Sequence, residues 1–284
     1  MVQHARVKRA LVVLALSAIS LRLHAQETKR VEVFGRTIVY NESGSGAPVI
    51  LLHGLGADKN IWRFTTPALA AKFHVYALDQ IGFGESDKPL VNYRPAMLSD
   101  FLDEFMRKLS IEKASIVGNS LGGWVAADFA IRYPARVEKL VLVDASGYVT
   151  RNVTREDMRF LNPSTLDETR AMVKRVFFNE MMHNDIVARA VYEARMRAGD
   201  GYTIERFIDS VLRREDFLND RLGSIKAPTL VVFGARDPLI PAADEDAMAQ
   251  HIAGAKKVAI EQCGHIPELE CAPAFHEAVL AFLQ

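Results

Sequence analysis

Hydrophobic and polar positions along this chain switch repeatedly between two periods. Short apolar runs without alternation fall at 49–52, 75–78, 115–117, 140–143, 229–233 and 257–260. Between them lie stretches with helical spacing, at 61–72, 96–109, 121–132, 242–251 and 274–283. Strands that are apolar at every position bury both faces, which predicts a parallel sheet covered by helices on both sides. Positions 31–33 and 37–40 alternate around Gly35 and predict a starting hairpin. The rhythm breaks at about Gly147, and from there to about Leu222 only helical periods occur, at 166–178, 185–197 and 203–212. The economical reading is one α/β domain over 30–147 and 222–284, interrupted by a helical insertion over 148–221. An insertion between two strands of one sheet emerges at the strand ends, where α/β proteins bind their ligands.

Composition narrows the function classes. The 284 residues are 49% hydrophobic and 25% charged, which excludes a disordered or low-complexity chain. With 35 basic against 35 acidic residues the formal charge is zero, which argues against a protein devoted to nucleic acid. That balance is uneven at the start. Residues 1–25 carry Arg6, Lys8, Arg9 and Arg22, no acidic residue, and an uncharged, mostly apolar run of twelve at 10–21. A helix of twelve residues rises roughly 18 Å, too short for a hydrocarbon core of about 30 Å. The pattern predicts a secretory signal cut after Ala25, a secreted or periplasmic protein, and no membrane span once the signal is removed. The mature chain would then hold 31 basic and 35 acidic residues. Cys263 and Cys271 lack CxxC spacing; an oxidising compartment permits a bridge, but two buried thiols are the simpler expectation.

The chemistry concentrates at the ends of the predicted strands. Gly118-Asn119-Ser120-Leu121-Gly122-Gly123 follows the strand at 115–117 and opens a helix, which is the setting of a nucleophile elbow. Such a turn pushes the Ser120 hydroxyl out of the sheet and leaves the Leu121 N–H free to stabilise an oxyanion. A serine needs a base oriented by a third group. Of the eight histidines, His265 in Cys263-Gly264-His265-Ile266 lies in a loop after the last strand, at the edge where Ser120 emerges. The acid should fall between nucleophile and base in the chain. Asp237, in Gly234-Ala235-Arg236-Asp237-Pro238, fits that order; Asp144, after the strand at 140–143, is the runner-up, with capping of the insertion as its other reading. The second oxyanion donor is expected at Leu55 in His53-Gly54-Leu55-Gly56, with His53 structural. The turn Asp79-Gln80-Ile81-Gly82-Phe83-Gly84-Glu85-Ser86 fails the dinucleotide fingerprint and reads as a structural turn. No metal or cofactor motif is present, so none is expected.

With these five blocks in order, residues 30–284 resemble the α/β-hydrolase fold family. The resemblance implies an eight-stranded, mostly parallel sheet, a Ser120–Asp237–His265 triad, no cofactor, and a cap formed by the insertion. His53 to Gly56 with Gly118-Asn119-Ser120 resembles small bacterial lipases and esterases. Gly118 to Gly123 also resembles hydrolases that cleave C–C bonds in meta-cleavage products, which typically carry Trp after the catalytic His where this chain has Ile266. The resemblance implies a serine hydrolase acting on a small-molecule ester through an acyl-enzyme. C–C bond hydrolysis and a non-catalytic binding module are the alternatives. Phe177, Phe178, Met181 and Met182 read either as the lining of an acyl pocket or, chiefly, as the core of the cap, and Trp124 either packs on the sheet or touches substrate.

Overall fold

A computed structural model describes residues 26–284 and shows where the apolar runs go. Eight strands form one sheet: β1 (Glu27–Val33), β2 (Arg36–Gly44), β3 (Pro48–Leu52), β4 (His74–Leu78), β5 (Ala114–Asn119), β6 (Val137–Val143), β7 (Thr229–Gly234) and β8 (Lys256–Ile260). Their order is β1-β2-β4-β3-β5-β6-β7-β8. β1 and β2 form the expected hairpin, and β2 runs antiparallel to β4. Every pairing from β4 through β8 is parallel.

Successive side chains on a strand point to opposite faces. Ile50, Leu52, Ile116, Leu140, Leu142, Val231 and Phe233 therefore join one apolar core. Val49, Leu51, Val117, Val141, Val143, Leu230 and Val232 join the other. This two-sided burial explains why the central strands lack alternation. From β3 the chain crosses to β4 on one side and then to β5 on the other. The sheet order reverses there, which opens a crevice beyond the C-terminal ends of β3 and β5.

The helix expected over 61–72 is broken. A 3-10 turn, Lys59–Trp62, precedes a separate α-helix, Thr65–Ala70. Pro67 has no N–H to continue a ladder from the preceding turn, so a new helix begins around it. Between β6 and β7 the chain is helical, with Leu166–Val176, Asp185–Ala198 and Gly201–Leu212 as the longer elements. Thr165 closes a capping box at the first of these, and Gly199, at φ 64°, ends the second.

The expectation of two free thiols is corrected. Cys263 and Cys271 form a disulfide with a Cα–Cα distance of 6.1 Å. The short helix Pro267–Glu270 turns the chain back on itself and brings Cys271 beside Cys263. The expected signal segment lies outside the described residues. Among the described residues, no helix is long and apolar enough to cross a membrane.

Candidate active site

The turn after β5 is set by what cannot fit there. A Cβ at Gly118 would lie 2.2 Å from the Gly122 carbonyl oxygen, and one at Gly122 would lie 2.1 Å from that of Leu52. With both side chains absent, β5 reverses tightly into the helix Leu121–Arg132. Ser120 takes φ 52° and ψ −115° between them, a strained conformation for a non-glycine residue. Its amide donates to the Val143 carbonyl at 2.9 Å, and its carbonyl accepts from Ser146 at 3.1 Å. These bonds fasten the strained residue to the end of β6.

His265 and Asp237 arrive from the loops after β8 and β7. Asp237 Oδ2 lies 2.7 Å from His265 Nδ1, so Nδ1 carries the ring proton and Nε2 remains the basic nitrogen. Asp237 Oδ1 accepts from the Leu239 and Ile240 amides at 2.6 and 3.2 Å. Burial pushes the Asp237 carboxyl up. The charge and hydrogen bond of His265 outweigh that, with hydrogen bonds from Asp144 and Leu239, and hold it below the ordinary carboxylate range. Ser120, Leu55, Leu121 and His265 line one cavity of about 660 Å³. A Cβ at Gly54 would lie 3.2 Å from Ser120 Cβ, so the Leu55 loop runs close beside the serine. The Leu55 and Leu121 amides have no acceptor among the described residues. The Ser120 hydroxyl also makes no hydrogen bond there, and serine–base bonds often tighten only with substrate present.

Asp144 is not a helix cap. It is fully buried, with φ 40°, and its Oδ1 accepts from the Gly234 amide at 3.0 Å. Donor atoms of Asp144, Asp237 and His265 all lie within 4.8 Å of one another, a grouping that is able to hold a cation. Here those atoms are engaged with each other and with backbone amides. His53 is fully buried; its Nε2 accepts from Gln80 N at 3.1 Å, which leaves the proton on Nδ1 for the Gly54 carbonyl at 2.8 Å. The expected structural role fits this geometry. Burial also lowers its basicity and keeps the ring neutral.

Two residues bear on the site to which the sequence assigned no role. Asn119 Nδ2 donates to the His265 carbonyl at 3.0 Å and ties the turn after β5 to the loop of His265. Lys59 is buried beneath the Leu55 loop, where its amide and ammonium reach Asp79 at 2.7 and 2.8 Å and the ammonium reaches Glu85 at 2.7 Å. Asn119 stands inside the elbow motif at the end of β5 and Lys59 opens a 3-10 turn, and the partners of both lie far away in the chain, where no local pattern shows them. The insertion roofs the cavity with Val173, Phe177, Met182, Val187 and Val191. Phe177 and Met182 serve both readings given to them, since they also pack in the insertion's small core. Met181 serves neither and is 80% exposed. Trp124 lines the cavity and packs edge-on against Phe207 and Phe217, and its indole N–H donates to the Asp216 carbonyl at 2.9 Å.

Residues 47–199 match the family described as alpha/beta hydrolase fold. The chain belongs to the α/β-hydrolase family. Among curated relatives of this hydrolase, 2-hydroxymuconate semialdehyde hydrolase of Pseudomonas sp. (strain CF600) is 33% identical over 253 residues, 86% of this chain and 89% of that one. Among solved structures, a meta-cleavage product hydrolase from Pseudomonas fluorescens IP01 is 30% identical, with a TM-score of 0.83, over 90% of this chain and 97% of that one. A bacterial membrane phospholipase A is 28% identical, also with a TM-score of 0.83, over 91% of this hydrolase and 86% of that chain.

Proposed function

We propose that this hydrolase cleaves carboxylic esters of small molecules through an acyl-enzyme on Ser120. His265 takes the serine proton as the oxygen attacks the acyl carbon. Asp237 holds the imidazole in the required tautomer and stabilises the imidazolium. The tetrahedral oxyanion sits between the Leu55 and Leu121 amides. The imidazolium then gives its proton to the leaving alcohol, and water, deprotonated by the same histidine, releases the acid. The observation that carries this reading is the 2.7 Å contact of Asp237 with His265, at a cavity that also exposes Ser120 and two amides without acceptors. The apolar roof supports an acyl chain as the group bound there. Likeness to a phospholipase, itself an ester hydrolase, supports the same bond. We further propose export from the cytoplasm, in keeping with the disulfide.

The similarity to 2-hydroxymuconate semialdehyde hydrolase favours a second reading, C–C bond hydrolysis of a ring-fission dienoate. A dienoate carboxylate calls for a cation in the cavity. Arg63, Arg151, Arg175 and Arg197 line the cavity, along with Arg195, which is already 3.5 Å from Asp200 and donates to Asn162 at 2.9 Å. Turnover of p-nitrophenyl esters of increasing chain length, set beside a ring-fission dienoate, separates the two. The ester reading expects kcat/KM for the best ester to exceed that for the dienoate by about 100-fold or more, with Ser120→Ala inactive. The opposite ratio transfers the assignment to C–C hydrolysis. Inertness toward both favours a binding module.

A further inference from the structure

The acid of this site has a second carboxyl pressed against it. Asp144 leaves the end of β6 in a left-handed conformation, φ 40°, which turns a fully buried side chain toward the loop that carries Asp237. Its Oδ1 is satisfied by the Gly234 amide. Its Oδ2 is buried and meets no N–H or O–H donor among the described residues. A carboxylate oxygen of Asp144 lies within 4.8 Å of one of Asp237, and both side chains are buried. Two buried carboxyls this close, with no donor on Asp144 Oδ2, disfavour joint ionisation, so the pair holds one proton.

The donor count decides which residue owns that proton. Asp237 accepts from two backbone amides and from His265, three donors that favour its ionised form. Asp144 accepts from one amide. We propose that Asp144 is a neutral, proton-donating fourth member of the Ser120–His265–Asp237 chain, a positioning residue that holds Asp237 ionised and aimed at His265. The surroundings agree. The titratable groups facing Asp144 are Asp237 and Glu245, and Glu245, from the helix Ala242–His251, is itself fully buried. Burial, then the Asp237 charge, pushes both Asp144 and Glu245 well above the ordinary carboxylate range. His265, within 4.8 Å of both carboxyls, is already bound to Asp237.

The role rests on the serine-hydrolase reading, but the proton is open to a test that needs no substrate. In infrared difference spectra of the full chain at pH 7, Asp144→Asn minus wild type should lose one protonated-carboxyl band and no carboxylate band. Glu245 and Glu268 are common to both proteins and cancel. Loss of a carboxylate band overturns the assignment whether or not the enzyme turns over esters. Where an ester is turned over, the pH profile adds a second readout. Removing a neutral Asp144 leaves the acid limb of kcat/KM in Asp144→Asn within about 0.3 pH unit of wild type. Removing an ionised one lowers that limb by about one unit, because His265 loses a neighbouring negative charge. Asp144→Ala, which keeps no donor, should lower kcat/KM about tenfold, with Asp144→Asn recovering most of the loss. Wild-type kcat/KM in Asp144→Ala overturns the positioning role. If that variant does not fold, the Asp144→Asn spectrum still decides.

Discussion

At the C-terminal edge of the sheet, Asp144, Glu245 and Glu268 are fully buried carboxyls. In the insertion Asp200 is buried against Arg195, but Asp185, Glu193 and Glu205 lie at the surface, each paired with an arginine. The edge also holds backbone approaches with no room for a methyl group, while the insertion's own apolar core is built on Val173, Phe177 and Ala188. Each region suits its position. Acid–base chemistry needs groups fixed to a fraction of an ångström with displaced proton affinities, and a crowded, dry platform supplies that. A roof that admits substrate needs contacts that open cheaply, and exposed ion pairs contribute little to stability.

Substitutions that break this contrast should scale accordingly. Gly122→Ala drives a methyl group into the Leu52 carbonyl, an atom of the central sheet that cannot move aside. We expect a loss of about 3 kcal/mol or more and a Tm lower by about 10 °C in thermal unfolding. A Tm within about 2 °C of wild type would mean that the turn has slack.

Glu268 ranks next, and its effect depends on pH. Burial pushes its carboxyl up to about 8. The unfolded chain ionises this group near pH 4.5 while the folded protein keeps it protonated to about 8, so stability falls as pH rises between the two. Glu268→Gln should match wild type near pH 4.5 and exceed it by about 4 kcal/mol at pH 8 in urea unfolding. Parallel curves at both pH values would place the Glu268 carboxyl in water.

Smaller changes belong to the roof. Met182→Ala and Val187→Ala widen the cavity from above. They should shift KM toward longer acyl chains by about tenfold or less while kcat stays nearly constant. A collapse of kcat in either variant would make the roof part of the catalytic geometry. Asp185→Ala removes the pairs with Arg170 and Arg189 at 2.6 and 2.7 Å, all exposed. Its Tm should stay within about 2 °C of wild type, and 1 M salt should erase any difference.

This contrast also marks what could be read before folding. The apolar runs, the elbow and the loop positions of Asp237 and His265 follow local rules, in which a strand needs burial and a turn needs glycine. Lys59 against Asp79, Asn119 against the His265 carbonyl and Asp144 against Asp237 each join segments far apart in the chain. Their meeting depends on the β1-β2-β4-β3-β5-β6-β7-β8 order, which no local window encodes. The disulfide escapes a local reading for the same reason, since its formation depends on how the helix Pro267–Glu270 turns back. Roof residues stayed ambiguous because Phe177 and Met182 serve core and cavity together.

The central claim is that Ser120 is a nucleophile activated by His265. Incubation with a fluorophosphonate, followed by intact-mass and peptide mass spectrometry, tests it most directly. The account predicts a single adduct on the peptide containing Ser120, absent in Ser120→Ala and formed at least about 100-fold more slowly in His265→Ala. A folded wild-type protein that remains unlabelled, or one labelled equally fast without His265, would contradict it.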